Sequence, residues 1–301
     1  MNILITGGAG FIGSHLADFL LDQGHYVLII DNLSTGKNER LHRHRSCVLD
    51  ISKEDNLLKL SSLIDSHQIE LVYHLAALPN VEQSLKQTSL THRHTLTSTV
   101  ILLEACKNTK VKKIVFSSTS AIYGNCEILP TNERCEPNPL TPYALQKLLS
   151  EQYIKLYTEL YNIKCICLRY FNVFGDRMTN TGAYKSVLSI FKEQKEKKLP
   201  LTITNDGEQR RDFIYVGDVV NANYLVGMND IDKKFDIFNV GYGGNFSVNE
   251  ISKQFNSETI FIGNRTESKI SLCDNSKINK EFGWQPTINV LEWIKNYVEN
   301  K

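Results

Sequence analysis

Short apolar runs alternate with helical patterns through the first half of the chain. The runs are rich in β-branched residues, and the segments between them carry apolar residues at helical spacing. Strands are predicted at Asn2–Ile5, Tyr26–Asp31, Leu71–Leu75, Lys113–Ser117 and Lys164–Arg169, with helices such as Ser14–Gln23 and Ser98–Lys107 between them. Apolar strands that alternate with helices predict an α/β fold with a Rossmann-type, doubly wound parallel sheet.

The pattern becomes irregular from about Phe171. Loops are predicted at Asn180–Tyr184 and Asn205–Gln209, a return to the sheet at Asp236–Val240, and then a helix near Val248–Phe255, a strand near Thr259–Ile262 and a helix after Pro286. We therefore expect two domains. Residues 1–171 plus about 213–240 form the larger one, and about 172–212 plus 241–301 form a smaller C-terminal α/β domain.

Composition excludes several classes of partner. The chain has 301 residues and a net charge of +1, which gives no electrostatic case for nucleic acid or an anionic membrane. No apolar run approaches the ~20 residues that span a bilayer, and the start lacks the features of a signal peptide. Seven cysteines without paired spacing predict free thiols in a reducing compartment, the cytoplasm. No metal-ligand cluster is evident, so no metal is expected.

A glycine-rich turn follows the first strand and opens a helix. It satisfies Gly-x-Gly-x-x-Gly from Gly8 and Gly-x-x-Gly-x-x-Gly from Gly7. Such glycines allow a tight turn and a close approach of the backbone to a pyrophosphate, which the N–H groups of the helix N-terminus then face. The turn predicts a dinucleotide site with the cofactor-binding residues Gly7, Gly10, Phe11, Ile12 and Gly13.

Two acidic positions flank this site in the predicted sheet. Asp31 ends the second strand, followed by Asn32, and a carboxylate there binds adenosine ribose hydroxyls and repels a 2′-phosphate, which favours NAD over NADP. The alternative makes Asp31 a turn residue. Asp50 and Ile51 follow the third strand and could flank adenine, or Asp50 could cap a helix before Ser52.

Tyr143 and Lys147 are four residues apart, directly after Thr141-Pro142, which predicts a helix start with both side chains on one face. A nearby ammonium favours the phenolate. Bringing a phenol from its reference pKa of about 10 to ~7 needs roughly 4 kcal/mol and gives a general acid/base for neutral pH. The pair alone is weak evidence, because Tyr297 and Lys301 repeat its spacing.

Several further motifs occur in order along nearly the whole chain. They are His74-Leu75-Ala76-Ala77, Phe116-Ser117-Ser118-Thr119, Arg169-Tyr170-Phe171-Asn172-Val173-Phe174-Gly175 and Asp206-Gly207-Glu208-Gln209-Arg210-Arg211-Asp212-Phe213. With them the chain resembles the extended short-chain dehydrogenase/reductases, and most closely the nucleotide-sugar 4-epimerases. The resemblance implies bound NAD, a nucleotide-diphosphate sugar as substrate (UDP-sugar favoured), a homodimer and polysaccharide biosynthesis. It also implies that the larger domain binds NAD and the smaller one the nucleotide sugar.

The resemblance assigns the catalytic roles. Tyr143 is the acid/base, Lys147 binds the nicotinamide ribose and lowers the pKa of Tyr143, and Thr119 bonds the reacting sugar oxygen. Thr119 could instead cap its own backbone, and Ser118 is the spare hydroxyl if the register differs by one. Leu75, Ala76 and Ala77 lie beside the cofactor, where the alanines allow its close approach.

Substrate contacts are also implied by position. Asn172 and Arg211 match residues that contact the nucleotide diphosphate sugar, although Arg211 could form a salt bridge with Asp212. Arg265 is a second diphosphate candidate. Ser271 matches the residue that gates the pocket near the sugar 2-substituent, and its small size predicts that N-acetylhexosamines fit. The chain departs from the family pattern at Thr88, Thr95 and Asn205.

The reaction is predicted from an absence. Related 4,6-dehydratases carry an acidic residue directly after the catalytic threonine, and this chain has Ser120-Ala121. That favours a 4-epimerase acting through a transient 4-keto sugar on UDP-GlcNAc/UDP-GalNAc or UDP-Glc/UDP-Gal. The alternatives are a 4-dehydrogenase or keto-sugar reductase with net redox turnover, and a non-catalytic NAD-binding scaffold. An apolar stripe beside the catalytic face fits either the dimer interface or core packing; it comprises Leu145, Leu149, Tyr153, Leu156 and Leu160.

Overall fold

The computed structural model describes residues 1–178, 186–263 and 270–299. Its central feature is a parallel seven-stranded sheet with the order β10-β6-β5-β4-β1-β2-β3. The strands are β1 (Asn2–Thr6), β2 (Tyr26–Asp31), β3 (Arg45–Val48), β4 (Leu71–His74), β5 (Lys113–Thr119), β6 (Lys164–Tyr170) and β10 (Phe235–Val240). The order reverses between β1 and β4, which is where open α/β sheets bind ligands. The predicted Rossmann-type, doubly wound sheet is confirmed.

Helices cover both faces of this sheet. They are α1 (Phe11–Asp22), α2 (Leu57–Ser66), α3 (Val81–Lys86), α4 (Thr88–His92), α5 (Ser98–Cys106), α6 (Pro142–Tyr161) and α8 (Val216–Met228). Side chains alternate across a strand, so Ile3 and Ile5 pack with α1 and α8, whereas Leu4 packs with α2, α5 and α6. Both faces are therefore apolar, as expected for buried parallel strands.

The predicted element boundaries differ from the observed ones at the ends that carry function. The helix predicted from Ser14 begins at Phe11, because Gly10 leads directly from the turn into α1 and accepts the first backbone bond, from Ser14 N. The strand predicted to end at Ser117 continues to Thr119. The return of Asp236–Val240 to the sheet is confirmed, since β10 pairs with β6 at the edge.

Two smaller sheets lie in the C-terminal half. One has the order β11-β9-β7 and the other pairs β12 with β8. These strands are β7 (Asn172–Phe174), β8 (Leu201–Thr204), β9 (Arg210–Tyr215), β11 (Asn245–Ser247) and β12 (Thr259–Ile262), and the accompanying helices are α7 (Val187–Glu196), α9 (Val248–Gln254), α10 (Ser276–Phe282) and α11 (Val290–Glu299). Phe191, Phe174 and Ile251 form a core of their own there. Asn205–Gln209 is the predicted turn, whereas Asn180–Tyr184 lies outside the described residues.

The apolar stripe of α6 does not pack into the core. Leu145, Leu149, Tyr153, Leu156 and Leu160 are 38% to 60% exposed. Core packing within this chain is therefore wrong as an explanation of the stripe, because the opposite face of α6, which carries Tyr143 and Lys147, is the one that faces the sheet. Among the described helices, none is long and apolar enough to cross a membrane.

Candidate active site

The glycine turn packs its backbone against the end of β4. Gly7 has φ +73°, a conformation that favours glycine, and its N–H donates to Ile30 O at 2.8 Å. A Cβ at Gly7 would lie 2.7 Å from Ala76 N, and one at Gly13 would lie 2.3 Å from Gly7 O. Side chains are thus excluded at both positions, and the predicted glycine turn and Leu75-Ala76-Ala77 segment are brought together. Phe11 and Ile12 open α1 directly beside them.

Asp31 is bonded to the glycine turn itself. Its buried carboxylate accepts from Ala9 N at 3.0 Å and from Leu33 N at 2.7 Å. The second bond is the local turn contact that the alternative predicted, and the first ties β2 to the turn. Burial raises the pKa of the Asp31 carboxyl, although both amides oppose the shift. A further contact runs from Arg40, whose Nη1 donates to Ala9 O at 3.2 Å.

The neighbouring acidic position also forms local bonds. Asp50 accepts from Ser52 N at 3.0 Å and from Ser52 Oγ at 2.7 Å, as the capping alternative predicted. The Asn32 side chain bonds Asp50 as well. Desolvation alone would raise the pKa of Asp50, but the hydrogen bonds from Ser52 and Asn32 outweigh it and the pKa is lowered. Ile51 is buried in the core beneath them. Asn32, Asp50 and Ile51 are thus adjacent at one edge of the sheet.

A chain of hydrogen bonds fixes the segment that follows β4. His74 Nδ1 lies 2.7 Å from Thr6 Oγ1, and His74 Nε2 lies 3.0 Å from Thr99 Oγ1. Thr99 donates to Thr95 O, so it accepts from His74 Nε2–H, and Nδ1 accepts from Thr6. Burial, assisted by the charge of Lys147, lowers the pKa of His74 to about 3. The imidazole is therefore neutral and orients the backbone beside the glycine turn.

The tyrosine–lysine pair lies on the buried face of α6. Thr141 is the N-cap, with its Oγ1 accepting from Ala144 N at 3.3 Å, and Pro142 starts the helix, as predicted. Lys147 is 2% exposed and its Nζ donates to Ser117 O at 2.6 Å. Burial lowers the pKa of Lys147 to about 7, against the opposing influence of Glu151. The buried ammonium thus joins α6 to β5 two residues before Thr119.

The two hydroxyls at the end of β5 have different partners. Thr119 Oγ1 accepts from Ala121 N at 3.2 Å, which is the capping contact of the alternative interpretation. This bond uses a lone pair and leaves the hydroxyl proton available to a substrate oxygen. Ser118 is buried and its Oγ donates to Glu151 Oε1 at 2.5 Å. Ser118 is thus committed to the interior, which favours Thr119 as the reacting hydroxyl.

A buried ion pair beneath these residues was missed by the sequence reasoning. Glu151 accepts from Arg169 Nε at 2.9 Å and Nη2 at 2.6 Å, with both side chains almost fully buried. The signal was present, since Glu151 is four residues after Lys147 on the same helix face and Arg169 interrupts an apolar strand. The pair holds α6 against β6 and bonds Ser118.

The predicted substrate residues surround β9. Asn172 on β7 donates from Nδ2 to Asp212 O at 2.7 Å, and Ser271 Oγ accepts from Asp212 N at 3.2 Å. Arg211 Nη1 donates to Arg210 O at 3.0 Å. Neighbouring side chains point to opposite faces of a strand, and the Asp212 carboxylate bonds three backbone amides. Arg265 lies outside the described residues.

Comparison with known proteins gives the family. The model of the NAD-dependent epimerase/dehydratase family matches residues 3–241. The chain belongs to this family. A Methanocaldococcus jannaschii protein provisionally assigned as a UDP-glucose 4-epimerase is 38% identical and covers 98% of this chain and 97% of its own length.

Solved structures of the NAD-dependent epimerase/dehydratase family superpose along the chain. UDP-glucose 4-epimerase from Thermotoga maritima, with UDP-glucose, gives a TM-score of 0.93 at 35% identity over 99% of this chain and 98% of that one. UDP-N-acetylglucosamine 4-epimerase from Methanobrevibacter ruminantium, in complex with UDP-N-acetylmuramic acid, gives a TM-score of 0.90 at 33% identity. The match covers 99% of this chain and 97% of that one. The predicted family, NAD cofactor and enzyme class are confirmed.

The residues of this family member fit NAD. Thr95 is buried within a π-helical turn (Arg93–Thr97) that packs against α6, and its Oγ1 has no hydrogen-bond partner among the described residues. A buried hydroxyl without a partner is costly, so it suits a ligand atom. Thr95 is also one of the positions at which the sequence departs from the family pattern. The other departures are tolerated locally, since Thr88 Oγ1 bonds Ser84 O and Asn205 adopts φ +56°, which asparagine allows.

Proposed function

We propose that this chain is an NAD-dependent UDP-sugar 4-epimerase. The observation that carries the proposal is the bond from the buried Lys147 ammonium to Ser117 O at 2.6 Å. It fixes the face of α6 that bears Tyr143 against the end of β5 that bears Thr119. The comparisons do not favour an enzyme with net redox turnover, because the similar proteins described above are named as 4-epimerases, one of them provisionally.

The cofactor is held by the glycine turn, Asp31, the Leu75–Ala77 segment and Lys147. When bound, NAD supplies reversible hydride acceptance at sugar C4. Tyr143, as the phenolate, removes the O4 proton and returns it at the end of the cycle. Thr119 donates a hydrogen bond from its hydroxyl to the reacting sugar oxygen, while the same Oγ1 accepts a hydrogen bond from Ala121 N–H. The 4-keto sugar turns in the pocket between the two transfers, and the C4 configuration is inverted.

The surroundings of Thr119 favour epimerisation over elimination of water. Ser120 and Ala121 follow it in a short 3₁₀ turn and supply no carboxylate. Glu151 is the acidic residue bonded to Ser118, but its two oxygens bind Arg169. Both carboxylate oxygens are therefore engaged in charge-assisted hydrogen bonds in the interior. No described residue of this set therefore offers a base for elimination.

The smaller domain, of about 172–212 plus 241–301, binds the nucleotide sugar. Asn172 and Ser271 both bond the backbone of Asp212, next to Arg211, which supports their assignment to one surface. Arginine suits diphosphate because its guanidinium forms paired, charge-assisted bonds. Ser271 is small, which supports a pocket that admits N-acetylhexosamines. Arg265 is the second diphosphate residue of the proposal.

The active form is a homodimer that associates through α6. Five large apolar side chains recur at helical spacing along its outward face, and all five are exposed. A two-fold interface needs one self-complementary surface, and this stripe provides it. Sedimentation of a Leu149→Glu, Leu156→Glu double variant tests the idea; a dimer that survives both charges is inconsistent with it. All seven cysteines are free thiols, which supports a reducing compartment such as the cytoplasm. A role in polysaccharide biosynthesis is proposed from the family resemblance alone.

The reaction itself is tested with UDP-N-acetylglucosamine and UDP-glucose. The sugar protons are followed by NMR, and NADH is followed by its absorbance in the same sample. We expect both 4-epimers to approach equilibrium without NADH accumulation. Formation of one NADH for each sugar consumed would refute the proposal. A Tyr143→Phe variant that keeps its bound NAD and loses epimerisation by about 10²- to 10⁴-fold would assign the acid/base.

A further inference from the structure

Asp212 lies at the middle of β9 and is fully buried. Its backbone bonds two predicted substrate residues, because its carbonyl accepts from Asn172 Nδ2 at 2.7 Å and its N–H donates to Ser271 Oγ at 3.2 Å. Its carboxylate bonds two other segments. Oδ1 accepts from Tyr242 N at 2.7 Å, and Oδ2 accepts from Gly243 N at 2.9 Å and from Cys273 N at 3.0 Å.

Only an ionised carboxylate suits this position. The three amides are all donors, and an ionised carboxylate is the small side chain that is solely an acceptor. Burial raises the pKa of Asp212 to about 6, and the three amides act against that shift. Asparagine has the same shape, but its NH₂ group would face an amide N–H. At least one bond would be lost, and the loop at residues 242–243 or the strand at 271–273 would move.

We propose that Asp212 is the positioning residue of the nucleotide-sugar site. Its carboxylate fixes the 242–243 loop and the 271–273 segment, and its backbone bonds Asn172 and Ser271, so that the diphosphate and the sugar meet a preformed surface. This inference rests on the proposed function. Preformed contacts reduce the ordering cost of binding. Their loss therefore weakens substrate affinity rather than the proton transfer at Tyr143 or the hydride transfer at sugar C4.

Asp218 provides a matched control. It is 4% exposed at the start of α8, and its carboxylate accepts from Thr287 N at 3.0 Å, Thr287 Oγ1 at 2.6 Å and Ile288 N at 3.4 Å. These bonds secure the segment before α11, and none of them involves a predicted substrate residue. Asp212 and Asp218 are thus both buried, and each carboxylate accepts three hydrogen bonds. The two residues differ in the segments that these bonds hold in place.

The test compares Asp212→Asn with Asp218→Asn. KM and kcat are measured for UDP-N-acetylglucosamine, the dissociation constant of UDP by calorimetry, and the bound NAD by absorbance after denaturation. We expect Asp212→Asn to raise KM and the UDP dissociation constant by about 10- to 100-fold, with kcat within about threefold and NAD retained. Asp218→Asn should lower the melting temperature and leave KM within about twofold. Equal changes of KM in the two variants, or no change in Asp212→Asn, would overturn the inference.

Hydrogen exchange of the unaltered protein covers the case in which Asp212→Asn does not fold. The amides of Tyr242, Gly243 and Cys273 should slow together on addition of UDP, whereas those of Thr287 and Ile288 should not. Separate responses of the three amides, or a chain that binds no UDP, would overturn the role of Asp212. UDP binding without epimerisation of any UDP-sugar would reject the proposed reaction alone, and the exchange result would still decide for or against Asp212.

Discussion

Replacing Lys147 with methionine should shift the pH dependence of catalysis. Tyr143 and Lys147 are neighbours one helical turn apart, at a separation of about 6 Å. With an effective dielectric constant of about 20, a unit charge at that distance is worth about 3 kcal/mol, or about two pKa units. The coupling is reciprocal. The pKa of Lys147, about 7 in the buried site, rises by a similar amount once Tyr143 ionises, so the ammonium stays charged when it is needed.

The assay is kcat/KM for UDP-N-acetylglucosamine epimerisation between pH 6 and 10, followed by NMR at saturating NAD. We expect the acidic limb of the Lys147→Met profile to lie about two units higher than in the unaltered enzyme. The rate at pH 7 should fall about 100-fold, and the difference should narrow at high pH. Lys155→Met, on the exposed face of α6, is the control and should leave the profile unchanged. Parallel profiles displaced by a constant factor would refute the electrostatic role and leave Lys147 only a cofactor contact.

Three further predictions concern charged residues of the site and of the interior. The folded-state pKa of Lys147 is below its unfolded value, so the unfolded chain binds more protons between about pH 7 and 10 and stability rises with pH there. In urea unfolding of the NAD-free protein, Lys147→Met should make stability less dependent on pH and raise the free energy of unfolding by on the order of 2 kcal/mol at pH 7. A lower stability of the variant would contradict this. Glu151→Gln leaves Arg169 buried without its anion and should lower the free energy of unfolding by about 3–5 kcal/mol, whereas replacing both residues with apolar ones should lower it much less. Equal losses of stability would show that the charge of Arg169 is not costly to leave unpaired. Arg211→Ala should raise KM for UDP-sugars by about 10- to 100-fold with kcat little changed, and an unaltered KM would remove it from the diphosphate site.

Local patterns were sufficient to predict the cofactor half of the fold. The inner strands β1, β2, β4, β5 and β6 are largely buried, so each appears in the sequence as an apolar run. Thr141-Pro142 marks the start of α6 by its own capping chemistry. The smaller sheets were harder to predict, because strands such as β7 and β11 are only three residues long. Short strands leave too few positions for an alternating pattern to be distinguished from loop.

Polar contacts between distant segments could not be predicted in the same way. The Asp212 carboxylate bonds amides that follow it by 30, 31 and 61 residues, and nothing in a local window identifies them. The sequence instead suggested its neighbour Arg211 as a partner. Had β9 been recognised as a strand, alternation would have argued against that pairing, because adjacent side chains point to opposite faces.

The same reasoning explains why several buried charges of this protein occur where α6 and β9 meet their neighbours. The Lys147 ammonium, the Glu151–Arg169 pair and the Asp212 carboxylate are each costly to bury, and each bonds groups from a different segment. Apolar packing fixes helices on a sheet but tolerates small displacements, whereas hydrogen bonds to a buried charge are lost when donor and acceptor separate. The proposed active site needs Tyr143 and Thr119 at fixed positions around the reacting carbon of the sugar. These charges give the site that accuracy at the expense of stability. The opposite expected effects of Lys147→Met on stability and on rate test this trade-off in one variant.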